Sequence, residues 1–217
     1  MNGVVILAAG SGSRMNLGYN KMIHQIDGEY IINITLKKFL AIDSFGPIVV
    51  VVSENDYDFI NDILIKDSKV TIVKGGAERQ DSVCNGVVHL EKNHDLNYIF
   101  IHDGARCNIS NNLLKKCIDE VALEKFDAYA VGVYEKNSIR VVEDGIVKQI
   151  LNRDHLMAMQ TPQIAKADLL YEVLTTSKNY HSDEVGLLFE NGYEISIIEG
   201  EYGNVKITTI EDLKGVK

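Results

Sequence analysis

VVILAAGSGSRMNLGYNK, residues 4–21, decides how this chain is read. Residues 4–8 are continuously apolar, which suits an interior parallel strand covered by helices on both faces better than a strand with one wet face. The run passes straight into Ala, Gly and Ser and then into Arg14 and Lys21. Small residues at a strand end let backbone N–H groups converge on an anion, and two cations can balance its charge. The rest of the chain is read as completing a site for a phosphate-bearing ligand.

The glycines do not spell a dinucleotide fold. Gly10 and Gly12 match the first two glycines of G-x-G-x-x-G, but Met15 stands at the third. No acidic residue follows about 20 residues on at the end of a second strand, and Glu54 comes too late. A G-x-x-x-x-G-K-[ST] phosphate loop is also missing from the sequence. A different nucleotide use is consistent with the stretch: Ala8, Ala9 and Gly10 press backbone against a base or ribose, and Gly12 bends the chain around phosphates. Arg14 and Lys21 then neutralise charge that builds as a nucleoside triphosphate is attacked. The plainer reading is a glycine turn flanked by two surface cations.

Outward from this stretch, strand-like and helix-like segments alternate. Residues 30–40 carry Ile31, Ile34 and Phe39 on one helical stripe, and Pro47 breaks the chain before an apolar strand at 48–52. A helix at 56–65 and a strand at 70–73 follow, then a helix at 78–90 after Gly75-Gly76, a strand at 98–101 ending in His102-Asp103, a helix at 113–123 and a strand at 128–133. Such repetition predicts one α/β domain over 1–217 with a mostly parallel sheet, and ligands collecting beyond the carboxyl ends of its strands. Segments 138–142 and 146–150 flank Glu143-Asp144-Gly145 and read as a hairpin, so 136–152 is an excursion from the domain. An isolated hairpin is marginal in water, so it is expected to pack on another copy of the chain, making a homodimer, or else to extend the local sheet. Residues 156–163 are read as a returning loop restricted by Pro162. Helices are expected at 166–175 and at 183–190, the second capped by Ser182, followed by strands at 193–198 and 204–208.

The composition agrees with a folded domain. Hydrophobic residues make up 46% and charged residues 24% of 217, with two prolines, which argues against disorder. A net charge of −9 argues against a nucleic-acid surface while leaving room for a local basic pocket. No signal-peptide pattern and no long apolar run occurs, so no membrane partner and a cytoplasmic location are expected. Three cysteines without a C-x-x-C pair read as plain thiols, and six scattered histidines as no zinc site.

Other candidate site residues come from strand ends and helix starts. Asp103 can hold Mg²⁺, a hard cation that takes carboxylate and phosphate oxygens, or can simply cap a nearby helix. Arg79 and Ser82, after Gly76, can meet a nucleotide, or can share the first helical turn with Glu78 and Asp81 as ordinary capping chemistry. Ser138, Arg140, Arg153, Thr161, Asp183 and Lys206 form a second polar set suited to a polyol phosphate, each also readable singly as solvated surface.

Taken together, LAAGSGSRM (7–15), GGAERQDSV (75–83), HDGAR (102–106), NR (152–153), QTPQ (160–163), SDE (182–184) and NVKITTIEDL (204–213) resemble the 2-C-methyl-D-erythritol 4-phosphate cytidylyltransferase family over nearly the whole length. The resemblance implies a Rossmann-like α/β fold of the nucleotide-diphospho-sugar transferase type, with flanking helices and a protruding β-hairpin arm. It implies a reaction in which a sugar-alcohol phosphate attacks the α-phosphorus of CTP. Arg14 and Lys21 would stabilise the transition state, Asp103 would place Mg²⁺, and Ala8, Ala9, Gly10, Gly76, Arg79 and Ser82 would bind cytidine. Ser138, Arg153, Thr161, Asp183 and Lys206 would grip the polyol phosphate, partly across a dimer. The family commonly has proline before the catalytic lysine, where this chain has Asn20, and Asp-Thr in the arm, where this chain has Asn137-Ser138. A related family makes CDP-ribitol on the same architecture, so ribitol 5-phosphate is the alternative acceptor, and a non-catalytic nucleotide-binding homologue is the second alternative.

Overall fold

The computed structural model describes residues 1–10, 15 and 18–215. Its centre is β1 (Asn2–Leu7), in which Val4, Val5 and Ile6 are fully buried. Alternate residues of a strand face opposite ways. Here Val4 and Ile6 enter one apolar cluster and Val5 the other, so both faces of the strand are covered, as its unbroken apolarity required. Each fully buried Val or Ile contributes about 1.5–3 kcal/mol relative to exposure, which is why such a run commits to the interior.

A small hairpin, β2 (Gln25–Ile26) and β3 (Glu29–Tyr30), leads into α1 (Ile31–Leu40). Helix α1 buries Ile31, Ile32, Leu36 and Phe39 on the face shared with Val4 and Ile6. Strand β4 (Phe45–Val52), helix α2 (Tyr57–Ile63), strand β5 (Val70–Lys74), helix α3 (Arg79–Asn93) and strand β6 (Tyr98–Asp103) follow in the expected alternation. On the opposite face α3 buries Val83, Val87 and Leu90 against Val5, Val49 and Val51. A Cβ on Gly86 would stand 2.7 Å from Val5 Cγ1, so only glycine lets this helix lie so close to the sheet.

After α4 (Asn111–Val121), capped by the Ser110 hydroxyl, come β7 (Ala128–Tyr134), the arm strands β8 (Arg140–Glu143) and β9 (Ile146–Ile150), β10 (Met157–Lys166), α5 (Ala167–Thr176), α6 (Glu184–Glu190) and β11 (Ile195–Glu199). The main sheet runs β11-β7-β10-β6-β1-β4-β5. Pairs β6·β1, β1·β4, β4·β5 and β11·β7 are parallel, while β10 is antiparallel to both β6 and β7. The arm is a separate two-stranded sheet turning through Asp144 and Gly145, both at positive φ (50° and 77°). That suits the Asp-Gly pair its sequence carries.

Four expectations are corrected. Residues 157–166 form an interior strand and not a loop, with a cis Thr161–Pro162 bond. The β10·β7 ladder is irregular between Met159 and Gln163, so Pro162, which has no N–H to give, sits where regular pairing lapses. Pro47 likewise lies within β4, beside the irregularity between Asn2 and Val4, and does not break the chain. Helix α6 is capped by Asp183, whose Oδ1 accepts from Gly186 N at 3.0 Å, and not by Ser182. Residues 204–208 form no strand and are held by Ile207 N donating to Ala105 O. The cysteines are free thiols, and burial pushes Cys107 up to about 11 and Cys117 up to about 12. Among the described residues no helix is long and apolar enough to cross a membrane.

Candidate active site

Three backbone bonds align the ends of the central strands. Ala8 N donates to Val51 O, Gly75 N to Val52 O and Gly104 N to Leu7 O, at 2.7, 2.8 and 2.9 Å. The segments leaving β1, β5 and β6 therefore start at one level. They open a cleft of about 360 Å³ lined by Ala8, Ala9, Gly10, Lys21, Gly76, Arg79, Ser82, Asp103 and Lys206, among others. Nine of the sequence-derived candidates thus meet in one place. Gly12 and Arg14 lie outside the described residues.

The turn at Gly75-Gly76 is set by α3. The Ser82 hydroxyl accepts from Gly76 N at 3.1 Å and donates to Glu78 O at 3.2 Å. A Cβ on Gly75 would fall 2.5 Å from Ser82 Oγ, and one on Gly76 would fall 2.3 Å from Asp81 Cβ. The capping alternative is realised by Glu78 and Asp81, which form a reciprocal capping box at the start of α3. Arg79, the next residue, is left to point into the cleft.

Asp103 ends β6 with its carboxylate among three cations. Lys206 Nζ stands 2.9 Å and Arg106 Nε 3.5 Å from Oδ2, and Arg79 Nη2 stands 3.7 Å from Oδ1. Burial pushes this carboxyl up, but Lys206 and then Arg79 outweigh it and hold it down at about 2. Arg79 is pinned from its other side: Nη1 and Nη2 donate to the two oxygens of Glu184 at 2.6 and 3.1 Å. Burial disfavours the charge on Arg79, and the Glu184 carboxylate more than offsets this and keeps it protonated. Lys21, 9% exposed, donates from Nζ to Ile207 O at 2.7 Å. It rides on a short 3-10 turn, Lys21–Ile23, capped by Asn20.

Behind the cleft, the Thr161 hydroxyl accepts from Asp103 N at 3.1 Å and bonds His102 Nδ1 at 3.0 Å. It supports the strand end carrying Asp103 from within the interior, at 3% exposure. Asp183 is the α6 cap, and its Oδ2 accepts from Gln163 Nε2 at 3.0 Å. Ser138 and Arg153 are exposed at the foot of the arm, where Arg153 Nη1 donates to Lys136 O. Arg140 is likewise exposed there, bonded to Ile139 O. These residues are not brought to the cleft of their own chain. Two further residues touch the site chemistry, Arg106 in HDGAR and Glu184 in SDE, and neither is marked as functional by its local sequence. Glu184 is 105 residues from Arg79, so no local spacing joins them.

The Asp103 carboxylate, held ionised on the wall of the cleft, fits Mg²⁺ held mainly by phosphate oxygens and water, which needs only one or two protein carboxylates. A cage made wholly by protein is not present: among the described residues, no three His, Cys, Asp or Glu side chains gather as a metal cluster.

The sequence from residue 3 to residue 216 matches the family model described as 2-C-methyl-D-erythritol 4-phosphate cytidylyltransferase, IspD. The chain belongs to this family. The cytidylyltransferase of that name from Clostridioides difficile is 37% identical, over 98% of this chain and 91% of the relative. That from Bacillus thuringiensis is 34% identical, over 97% and 93%. Among solved structures, the 4-diphosphocytidyl-2C-methyl-D-erythritol synthase of Anaerococcus prevotii superposes with a TM-score of 0.84 at 28% identity, covering 99% of this chain and 93% of that one. The Francisella tularensis IspD gives 0.82 at 26%, covering 98% and 96%. The Rossmann-like sheet with its flanking helices is thus the cytidylyltransferase fold, and the family-level activity is transfer of a cytidylyl group to an alcohol phosphate.

Proposed function

We propose that this protein joins CTP to 2-C-methyl-D-erythritol 4-phosphate, releasing pyrophosphate. A phosphate oxygen of the alcohol attacks the α-phosphorus, and the bond from that phosphorus to the bridging oxygen of the βγ-pyrophosphate breaks. No covalent enzyme intermediate is needed, because alignment and charge stabilisation suffice for in-line displacement. The observation that carries this reading is the cleft itself: residues 8–10, Gly76 and Ser82 line a space of about 360 Å³ together with Lys21, Arg79, Lys206 and Asp103, a grouping that suits a nucleoside triphosphate.

Each group has work suited to its chemistry. Lys21 presents a compact charge to the oxygens of the pentacoordinate phosphorus, and Arg14 shares that task. Arg79, locked in orientation by Glu184, addresses the nucleotide without having to be ordered on binding. Lys206 turns from Asp103 to the phosphate of the alcohol. Mg²⁺, when bound by Asp103 and phosphate oxygens, would supply further positive charge to the triphosphate. Thr161 keeps the Asp103 backbone in place, and Asp183 orders the start of α6 near Arg79, where its carboxylate would accept from the alcohol hydroxyls.

Ser138 and Arg153 complete the acceptor site from the arm of a second copy. Val142, Ile146, Val147 and Ile150 expose 54–72% of their surface on that arm, an apolar area that a homodimer would cover. Sedimentation should then show a dimer at micromolar concentration, and a monomer across that range would remove the shared site.

The deciding experiment is a pyrophosphate-release screen of four nucleoside triphosphates against methylerythritol 4-phosphate, ribitol 5-phosphate and several sugar 1-phosphates. Turnover confined to CTP with methylerythritol 4-phosphate is expected. Preference for ribitol 5-phosphate would replace the acceptor, and CTP binding without turnover would make the protein a nucleotide-binding homologue.

A further inference from the structure

Lys21 has a long, flexible stem, so where its ammonium goes depends on how firmly its backbone is held. The residue before it is only 4% exposed, and its side-chain amide makes three hydrogen bonds. Asn20 Oδ1 accepts from Met22 N at 3.0 Å, closing the turn on which Lys21 rides. Asn20 Nδ2 donates to Ala8 O at 3.1 Å, the end of β1 and a wall of the cleft, and to Asp56 Oδ2 at 2.8 Å. Asp56 is fixed in turn: the same oxygen accepts from Ser53 Oγ at 2.6 Å, and Ser53 Oγ accepts from Asp56 N at 3.2 Å. Asp56 sits in the turn after β4 and does not line the cleft.

We propose that Asn20 and Asp56 form a positioning couple that registers the Lys21 turn against the cytidine-binding end of β1, so that the lysine is preorganised for phosphoryl transfer. This deepens the cytidylyltransferase reading and rests on it. Three observations distinguish the couple from a simple cap. Its second and third bonds leave the turn for two other elements, its carboxylate comes from a segment remote from the chemistry, and the buried amide has no spare donor to adapt with. A buried amide whose partners are removed must leave a polar group unpaired or move, and moving shifts residue 21.

The test uses the intact protein and reads turnover and backbone protection separately. Asn20→Asp keeps the shape but sets a carboxylate oxygen against Ala8 O and the Asp56 carboxylate, a repulsion that drives the Lys21 turn from its place and loosens the Met22 bond. We expect kcat to fall on the order of 10- to 100-fold, since small misplacement of a catalytic group costs about that much, with KM for CTP changing less. Adding Asp56→Asn restores one donor to the pair and should return at least about half of the lost factor on a logarithmic scale. Asp56→Ala, at a half-buried position outside the cleft, should lower kcat by about tenfold. Amide exchange at Met22 and His24, whose N–H groups bond Asn20 Oδ1 and Lys21 O, should quicken at least about tenfold in Asn20→Asp and Asp56→Ala, with global protection retained.

Turnover in Asp56→Ala or Asn20→Asp within about twofold of the parent would overturn the proposal, as would a double variant no better than Asn20→Asp. A drop in melting temperature with kcat unchanged would assign the couple to stability alone, also against it. If the parent protein turned over none of the candidate alcohols, the reaction would be at fault. The exchange measurement would then judge the couple by itself, with unchanged protection at Met22 and His24 overturning it.

Discussion

Glu184→Gln isolates the ion pair that orients Arg79. Glu184 is 3% exposed and the Arg79 side chain 28%, and the two share a fork of hydrogen bonds at 2.6 and 3.1 Å. Gln preserves one acceptor but turns an NH₂ toward the second guanidinium nitrogen, leaving two donors face to face. Breaking a buried pair from one side costs roughly 3–5 kcal/mol because the other charge stays behind. Here Asp103 remains 3.7 Å from Arg79 and the guanidinium is partly solvated, so the expected loss is about 2–3 kcal/mol. For a chain of this size that lowers Tm by roughly 5–10 °C. Urea and thermal unfolding followed by circular dichroism measure it, with Arg79→Met and the double variant completing the cycle. The double variant should be more stable than Glu184→Gln alone, since both charges have gone. A Glu184→Gln protein within about 0.5 kcal/mol of the parent, or a cycle whose two single losses simply add, would refute the role given to this pair.

Other substitutions separate the remaining roles. Lys21→Ala should cut kcat on the order of 100- to 1000-fold, as loss of a group that meets developing charge does, and steady-state kinetics showing only a raised KM would contradict that role. Arg153→Ala should raise KM for the alcohol phosphate by about tenfold and leave CTP kinetics alone, consistent with one lost charge-assisted contact; unchanged kinetics would reject the contact. His102 is fully buried beside Phe39, and burial lowers it from 6.5 to about 4. Its folded value lies below its unfolded one, so its contribution is complete above pH 6.5 and is lost as pH falls through about 4. That is roughly 3 kcal/mol, and urea titrations with a chelator present should show it in the parent and not in His102→Gln.

Much of the architecture was legible because it is repetitive and local. The apolar runs of β1, β4 and β6 cannot be placed at a surface, and the stripes of α1 and α3 name their own buried faces. Strand β10 was not legible, since MAMQTPQIAK neither alternates nor runs apolar and contains a proline. It becomes a strand because β6 and β7 pair with it from both sides, with the proline at a gap in the ladder. A tertiary demand of that kind outweighs local preference. The site divides the same way. Residues 8–10, 76, 79, 82 and 103 follow strands directly and could be placed by rule, whereas the pairings of Arg79 with Glu184 and of Asp103 with Lys206 join distant segments. Arm residues 138 and 153 are exposed and do not line the cleft of their own chain, so neither a strand end nor a helix start places them there.

The most direct test is a crystal structure with a non-hydrolysable CTP analogue and Mg²⁺. Cytosine should lie against residues 8–10 and Ser82, with the triphosphate between Lys21 and Asp103 and with Lys206 drawn away from that carboxylate. CTP bound elsewhere, or a triphosphate leaving Lys21 on Ile207 O and Lys206 on Asp103, would contradict the account.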